Sequence, residues 1–206
     1  MDTIYSIGHS NHEASQLLAL LQQHGVDVVL DVRSTPFSQR YPQFNSDELQ
    51  LFLGRHLIAY APFGLWFGAR QSEEVYYTPA GWLNYSWFTA SPTFGAGIKE
   101  MDNYLVQGKK PVLLCAEKDP FDCHRAIMVG RALSLQGYFL RHILADGNLQ
   151  TQEELDTRLL DKYFPKRNES SIFDLIDGET DPAELLNQAY LKRNEAIAWR
   201  LEATED

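Results

Sequence analysis

The sequence has few cysteines, no long apolar run and no excess of positive charge. Two cysteines among 206 residues are too few for a disulfide framework, so a reducing compartment would keep both as thiols. No run of about 18 apolar residues occurs, which argues against a membrane-spanning helix, and the first residues lack the basic and apolar regions of a signal peptide. We therefore expect a soluble, cytoplasmic protein with no membrane partner.

The negative charge is concentrated near the C-terminus. The net charge is −10, yet residues 1–145 carry 11 Lys and Arg against 13 Asp and Glu, whereas residues 146–206 carry 7 against 15. Bulk charge therefore excludes nonspecific coating of nucleic acid, which needs a basic surface. A nearly neutral body can still hold a local basic pocket.

Apolar segments alternate with amphipathic ones along the first two thirds of the chain. With 44% apolar residues the chain is long enough for a substantial core. The expected strands are residues 3–7, 26–32, 58–61, 111–115 and 138–144, with helices between them and no strand afterwards. The continuous hydrophobicity of these strands favours burial on both faces. We predict an α/β fold: a mostly parallel twisted sheet of about five strands with helices on both faces.

Two regions depart from this alternation. Residues 60–94 contain 11 of the 25 aromatic residues, so an aromatic-rich insertion or lid is expected at about 62–94, either as a hydrophobic cluster or as a stacking surface for a planar ligand. Helices at 152–164 and 182–201 are joined by a polar segment. We assign residues 1–147 to the α/β domain and 148–206 to an acidic helical extension, which either packs on the sheet or forms a homodimer.

The segment Pro111–Arg125 contains both cysteines and Glu117, His124 and Arg125. It passes from the fourth strand through a polar loop to the start of a helix, where backbone N–H groups favour a thiolate or a bound anion. Cys115 is expected in the core, because it ends an apolar strand. Arg125 is the strongest candidate for binding phosphate or carboxylate.

Titratable residues follow several strands, and ligands bind beyond the carboxyl ends of parallel strands. The candidates for acid, base or nucleophile are His9, Asp31, Glu117, Cys123 and His124. The candidates for binding substrate or an anion are Ser10, Asn11, Arg33, Ser34, Arg40, Arg125 and His142. Asp31 and Arg33 are equally compatible with a structural ion pair. Metal ligands are available in His9, His12, Glu117, Cys123, His124 and His142. Without tight spacing such as C-x-x-C, however, an anion site is favoured over a metal site, no metal is assigned, and the cofactor is unknown.

Four ordered blocks carry a resemblance to a known family. They are Ser6–Asn11, Asp31–Ser38, Leu114–Arg125 and His142–Ile143. Together they resemble the bacterial and archaeal family known as domain of unknown function 488, over roughly residues 1–146. The resemblance implies an α/β fold and a shared site made of those blocks, but no activity.

A weaker likeness connects the chain with rhodanese-like and Cys-based phosphatase domains. Leu30–Arg33 looks like a rhodanese strand end, and Cys115 with Arg125 before a helix looks like the active loop of those domains. This likeness would imply thiol chemistry on a remodelled loop, because nine residues separate Cys115 from Arg125.

The sequence predicts an enzyme, a hydrolase or transferase, that acts on a phosphorylated or nucleotide-like small molecule. Two alternatives stay open. One is a non-catalytic module that binds a nucleotide or single-stranded nucleic acid, and the other is the thiol chemistry of the rhodanese or phosphatase type.

Overall fold

A computed structural model describes residues 2–167 and 181–201. It is an α/β fold with a six-stranded sheet in the order β3-β2-β4-β1-β5-β6. The strands are β1 (Thr3–Gly8), β2 (Val28–Asp31), β3 (Ala59–Pro62), β4 (Pro111–Cys115), β5 (Phe139–Ile143) and β6 (Leu149–Thr151). The helices are α1 (Ala14–Gln23), α2 (Ser46–Gly54), α3 (Gly64–Phe67), α4 (Tyr85–Thr89), α5 (Pro92–Val106), α6 (Arg131–Leu135), α7 (Gln152–Tyr163) and α8 (Pro182–Ile197).

The first five strands are parallel, as the continuous hydrophobicity predicts. β4 lies between β1 and β2, and every residue of β2 and β4 is buried. Because parallel strands point the same way, the carboxyl ends of β1, β2 and β4 lie side by side. The predicted site segments therefore leave the sheet at one edge.

The expectation that no strand follows residue 144 is wrong. Gly147 adopts φ +85°, and Leu144 N–H donates to the carbonyl oxygen of Asn148 at 2.9 Å, so the chain reverses and β6 pairs antiparallel with β5. β6 has only three residues, too few to show a recognisable period.

Helices cover both faces of the sheet. Alternate residues of β2 belong to different core clusters: Val29 packs with leucines of α1 and α2, whereas Val28 and Leu30 pack with residues of α5. The helices α7 and α8 bury Leu155, Leu159, Ala189 and Tyr190 in this second cluster. The helical extension thus packs against the sheet domain, and homodimerisation through it stays a prediction. Residues 168–180, most of the predicted polar connection, lie outside the described residues.

The aromatic insertion consists of short helices and loops whose rings mostly point into the core. Phe63, Phe67, Phe88 and Phe94 are at most 1% exposed, and their rings pack edge to face or tilted. Hydrophobic clustering, one of the two alternatives for this segment, therefore accounts for most of these aromatics.

A turn of π-helix, Arg125–Gly130, replaces the expected first turn of the α-helix before α6. All six residues are buried between the sheet and the C-terminal helices. The carbonyl oxygen of Cys123 accepts a hydrogen bond from the N–H group of Ile127 at 3.1 Å, and His124 has helical backbone angles. Cys123 and His124 therefore lie at the start of this helical segment, as the sequence predicts. Among the described residues, no helix has the length and apolar character needed to cross a bilayer.

Candidate functional site

A cavity of about 510 Å³ opens at the carboxyl ends of β2 and β4. We call it the edge cavity. Its floor is made by residues that follow the two strands, and its sides by the insertion and by the end of α8. Its lining residues are Arg33, Ser34, Thr35, Ala69, Arg70, Tyr85, Cys115, Ala116, Glu117, Asp122, His124, Ile197, Ala198, Trp199 and Arg200.

Four side chains at the floor form a compact group that we call the thiol cluster: Cys115, Glu117, Cys123 and His124. Each offers one sulfur, nitrogen or oxygen atom, and these atoms lie within 4.8 Å of one another. Glu117 Oε2 lies 3.0 Å from Cys115 Sγ and 2.9 Å from Cys123 Sγ. Cys115 Sγ lies 3.7 Å from His124 Nδ1. Three members are buried, and Glu117 is exposed.

The backbone around the thiol cluster is firmly held. The carbonyl oxygens of Cys115 and Ala116 accept hydrogen bonds from the N–H groups of His9 and Ser10, at 2.9 and 2.8 Å. A Cβ atom on Gly8 would lie 1.8 Å from the carbonyl oxygen of Glu117, so only glycine allows this close approach. The sheet thus positions the loop that carries Glu117.

His124 has a defined orientation. Its Nε2 lies 3.1 Å from the carbonyl oxygen of Val32. A carbonyl only accepts, so Nε2 must carry a proton and donate it. The other ring nitrogen, Nδ1, then faces the two thiols.

The members of the thiol cluster perturb one another. Burial raises the pKa of Cys115, and its hydrogen bond with Cys123 adds to this effect. At Cys123 burial opposes ionisation, but the hydrogen bond from Cys115 and the charge of Arg125 bring its pKa well below the usual value. Glu117 is exposed as a residue, but its carboxylate lies against the two buried thiols, and this desolvation, together with the charge of Cys123, raises the pKa of Glu117. The pKa values of the two thiols are thus shifted in opposite directions, and Cys123 loses its proton more readily than Cys115.

A second polar group lies beside the first, and we call it the ion-pair network: His9, Asp31, Arg33 and Tyr60. Arg33 Nε donates to Asp31 Oδ1 at 2.8 Å, and Tyr60 donates its hydroxyl proton to Asp31 Oδ2 at 2.8 Å. Arg33 also donates to the carbonyl oxygen of Phe44 and to His9 Nε2. The guanidinium is thus engaged almost entirely within the protein.

His9 is neutral in this network. Its Nδ1 donates to the carbonyl oxygen of Ser10 at 2.9 Å, its Nε2 accepts from Arg33, and its ring stacks on Phe44 at 4.3 Å between centroids. Burial lowers the pKa of His9 to about 4, in spite of the hydrogen bond to Ser10. It does not line the edge cavity.

Arg125 is fully buried and lies beneath the loop instead of in the edge cavity. Its two terminal nitrogens donate to the carbonyl oxygens of Glu117 and Lys118, at 2.6 and 3.2 Å. Its Nε has no partner among the described residues. Arg125 therefore shapes the loop that presents Glu117.

Other predicted residues lie apart from the edge cavity. His142 is buried between Ser6, whose hydroxyl lies 2.7 Å from Nδ1, and Gln152, which accepts from Nε2 at 3.0 Å. Ser10 and Asn11 hydrogen bond to each other. The exposed guanidinium of Arg40 lies 5.4 Å from the ring centroid of Tyr41. Of the predicted anion-binding residues, the cavity wall contains Arg33 and Ser34.

Sequence reasoning missed three residues of the cavity wall, Arg70, Tyr85 and Trp199, and gave Cys115 a role only in the rhodanese-like alternative. Cys115 is buried as predicted, yet its sulfur is part of the thiol cluster. Arg70 places its guanidinium 3.7 Å from the ring centroid of Trp199 on the cavity wall. The Tyr85 hydroxyl is buried and has no partner among the described residues. Only the aromatic excess of the insertion could have pointed to Tyr85.

The comparison with known families matches the model described as domain of unknown function DUF488, over residues 13–132. The chain belongs to this family. No significant match occurs among curated proteins or among solved structures.

The segment matched to DUF488 contains the whole thiol cluster, together with Asp31, Arg33 and Arg70. Four cavity residues, Ile197 to Arg200, follow the matched segment by more than 60 residues. The thiol cluster is thus formed within the DUF488 segment, and the C-terminal part of the chain completes the cavity wall.

Proposed function

We propose that this protein is an enzyme, a hydrolase or transferase, that acts on a phosphorylated or nucleotide-like anionic substrate in the edge cavity. We also propose that it works in the cytoplasm, where reducing conditions keep Cys115 and Cys123 as thiols. The proposal is carried by the local charge of the cavity, which is opposite in sign to that of the whole chain.

The charges of the cavity wall do not cancel. Arg33 is neutralised by Asp31, and Asp122 by an ion pair with Arg193. Arg70 and Arg200 have no carboxylate within 4 Å among the described residues. Their two positive charges exceed the single negative charge of Glu117. The wall therefore carries a net positive charge that an anionic ligand can balance.

Aromatic side chains supply the second part of the argument. Trp199 is half-buried on the cavity wall, with Arg70 stacked on one face, and Tyr85 contributes an unpartnered hydroxyl. A planar base can pack on such a ring while a guanidinium binds its phosphate. The hydroxyl of Tyr85 can donate to a polar atom of the substrate.

Glu117 is the candidate acid or base. Its Oε2 is bound to the two thiols, whereas its Oε1 has no hydrogen-bond partner among the described residues, and the residue is exposed at the cavity floor. It can take a proton from water or from a substrate hydroxyl. The rhodanese-like alternative has less support, because Arg125 binds two loop carbonyl groups instead of facing the cavity.

Calorimetric titration with nucleoside monophosphates, and with the same nucleosides lacking phosphate, tests the anion site. We expect the Kd for a monophosphate to rise about tenfold or more in Arg70→Ala, because a charge-assisted hydrogen bond is lost. The exposed Arg55→Ala is the matched control and should bind like the unmodified protein. Unchanged affinity in Arg70→Ala would refute the anion site.

Mass spectrometry of the incubated ligands separates an enzyme from a binding module. An enzyme should convert a bound compound, and Glu117→Gln should slow the conversion about 100-fold or more with little change in Kd. Complete recovery of every bound compound would favour the non-catalytic module instead.

A further inference from the structure

We propose that the thiol cluster is a binding site for a divalent, thiophilic metal ion of the zinc class. The ligands are Cys115 Sγ, Cys123 Sγ, His124 Nδ1 and one carboxylate oxygen of Glu117. This inference deepens the proposed function, because the ion would lie at the floor of the cavity in which the substrate binds. It adds a metal site to the anion site that the sequence alone favours.

The distances among the four atoms fit one small cation. Zinc binds sulfur at about 2.3 Å and nitrogen at about 2.0 Å in a tetrahedron, which places ligand atoms about 3.3 to 3.8 Å apart. The Cys115 sulfur lies 3.7 Å from His124 Nδ1 and 3.0 Å from Glu117 Oε2. All four atoms lie within 4.8 Å of one another, so side-chain shifts of up to about 1 Å would bring every pair into this range.

The orientation of His124 is the arrangement that a metal-binding histidine needs. Metal-bound imidazoles almost always donate the other ring N–H to a carbonyl or carboxylate group, which fixes the ring. Nε2 of His124 donates to the carbonyl oxygen of Val32, the residue that directly follows β2. Nδ1 is therefore directed at the thiols by the sheet itself.

The charge of Arg125 is an independent argument. A fully buried guanidinium without a carboxylate partner is costly. No carboxylate of the described residues lies within 4 Å of Arg125, which is 0% exposed and is two residues away from Cys123. Two thiolates, one carboxylate and a divalent cation sum to −1, which the guanidinium balances.

The ligand set selects the class of metal. Thiolate and imidazole ligands favour zinc and its chemical relatives over magnesium and calcium, which prefer oxygen. The buried ligands hold the ion from below, and Glu117 lies on the exposed, cavity side. Glu117 is therefore the ligand that a substrate or a water molecule would have to displace in order to reach the ion, which would then polarise it.

Titration of the metal-stripped full-length protein with Co²⁺ tests the site. We expect one Co²⁺ per chain, with the thiolate-to-cobalt charge-transfer band and the visible bands of a tetrahedral site. Zn²⁺ should displace it. His124→Gln should weaken binding at least tenfold, and Glu117→Gln should also weaken it. The exposed His56→Gln and Glu48→Gln are matched controls and should bind like the unmodified protein.

Absence of a thiolate band in the unmodified protein, or unchanged affinity in His124→Gln, would overturn the proposal. Circular dichroism of each variant shows whether weaker Co²⁺ binding reflects the removed metal ligand or a loss of folding. The test for the thiolate band uses only the unmodified protein, so it does not depend on how the variants fold. Calorimetry with a nucleoside monophosphate on the metal-stripped protein keeps the two proposals apart. Anion binding without Co²⁺ binding would refute the metal site alone, and the reverse would refute the anion site alone.

Discussion

The ion-pair network and the thiol cluster are neighbours at the same edge of the sheet, but they differ in how their polar atoms are satisfied. In the network, the carboxylate of Asp31 accepts from Arg33 and Tyr60, and Arg33 also donates to Phe44 and His9. In the cluster, two thiols compete for one oxygen of Glu117, and His124 Nδ1 faces sulfur at 3.7 Å. The polar atoms of the network are paired within the protein, whereas the sulfur and nitrogen atoms of the cluster keep lone pairs that a ligand can use.

This difference indicates a structural role for the network and a ligand-binding role for the cluster. Polar groups that are buried and fully paired hold a fold in one arrangement. Groups that converge with unused lone pairs beside a cavity are suited to a ligand. Substitutions in the network should therefore change stability, and substitutions in the cluster should change binding.

Asp31→Ala should produce the largest loss of stability. It leaves the buried guanidinium of Arg33 without its counter-charge, which costs about 3 to 5 kcal/mol. Urea denaturation measures the change in the free energy of unfolding. The double variant Asp31→Ala with Arg33→Leu should recover part of the loss, and the exposed Asp47→Ala should lose little. A loss below about 1 kcal/mol in Asp31→Ala would show that the ion pair is not structural.

Acid should destabilise the fold through buried histidines. Burial and the charge of Arg125 lower the pKa of His142 to about 3, and burial lowers that of His9 to about 4, from 6.5 in both cases. Between pH 6.5 and these values the unfolded chain binds more protons than the folded one, so stability falls as the pH falls. We expect His142 to account for about 2 to 3 kcal/mol between pH 7 and pH 4.

Unfolding measured at several pH values tests this expectation. The slope between pH 6 and pH 4 should become shallower in His142→Gln and should persist in the exposed His56→Gln. An unchanged slope in His142→Gln would mean that this ring is protonated in the folded protein.

Gly8→Ala should destabilise by about 1 to 3 kcal/mol, because the new methyl group must displace the loop backbone. A Cβ atom there meets the carbonyl oxygen of Glu117 at 1.8 Å. The matched control is Gly95→Ala in α5, where nothing lies within 4 Å and helix propensity predicts a slight gain. Thermal denaturation of both variants makes the comparison, and a neutral Gly8→Ala would show that the loop adapts freely.

Glu117→Gln should have the smallest effect on stability. The residue is exposed, so we expect a change below about 1 kcal/mol in the free energy of unfolding. Co²⁺ affinity should nevertheless fall at least tenfold. A large loss of stability with unchanged Co²⁺ affinity would show that Glu117 has a structural role and does not bind the metal.

The sequence could predict the sheet and the edge at which its polar residues meet. Continuous apolar strands required burial on both faces, and parallel strands bring their carboxyl ends together. That reasoning gathers Glu117, Cys123 and His124, because their positions follow from the end of β4.

Side-chain direction could not be predicted in the same way. Arg125 follows His124 directly, yet it turns inward to carbonyl groups of its own loop, and that choice depends on three-dimensional backbone positions. Trp199 reaches the cavity because Trp82 pairs with Arg200 in an isolated bridge, a contact between segments that no local pattern connects. Cys115 has the pattern of a core residue, and only its neighbours show that its sulfur also belongs to the cluster.

X-ray absorption spectroscopy at the zinc edge, on metal-stripped protein reconstituted with one equivalent of Zn²⁺, tests the role of the thiol cluster most directly. The structure predicts a first shell of two sulfur atoms at about 2.3 Å and two lighter atoms at about 2.0 to 2.2 Å, with one sulfur lost in Cys123→Ser. A first shell made only of nitrogen and oxygen would contradict the assignment of the cluster as a metal centre.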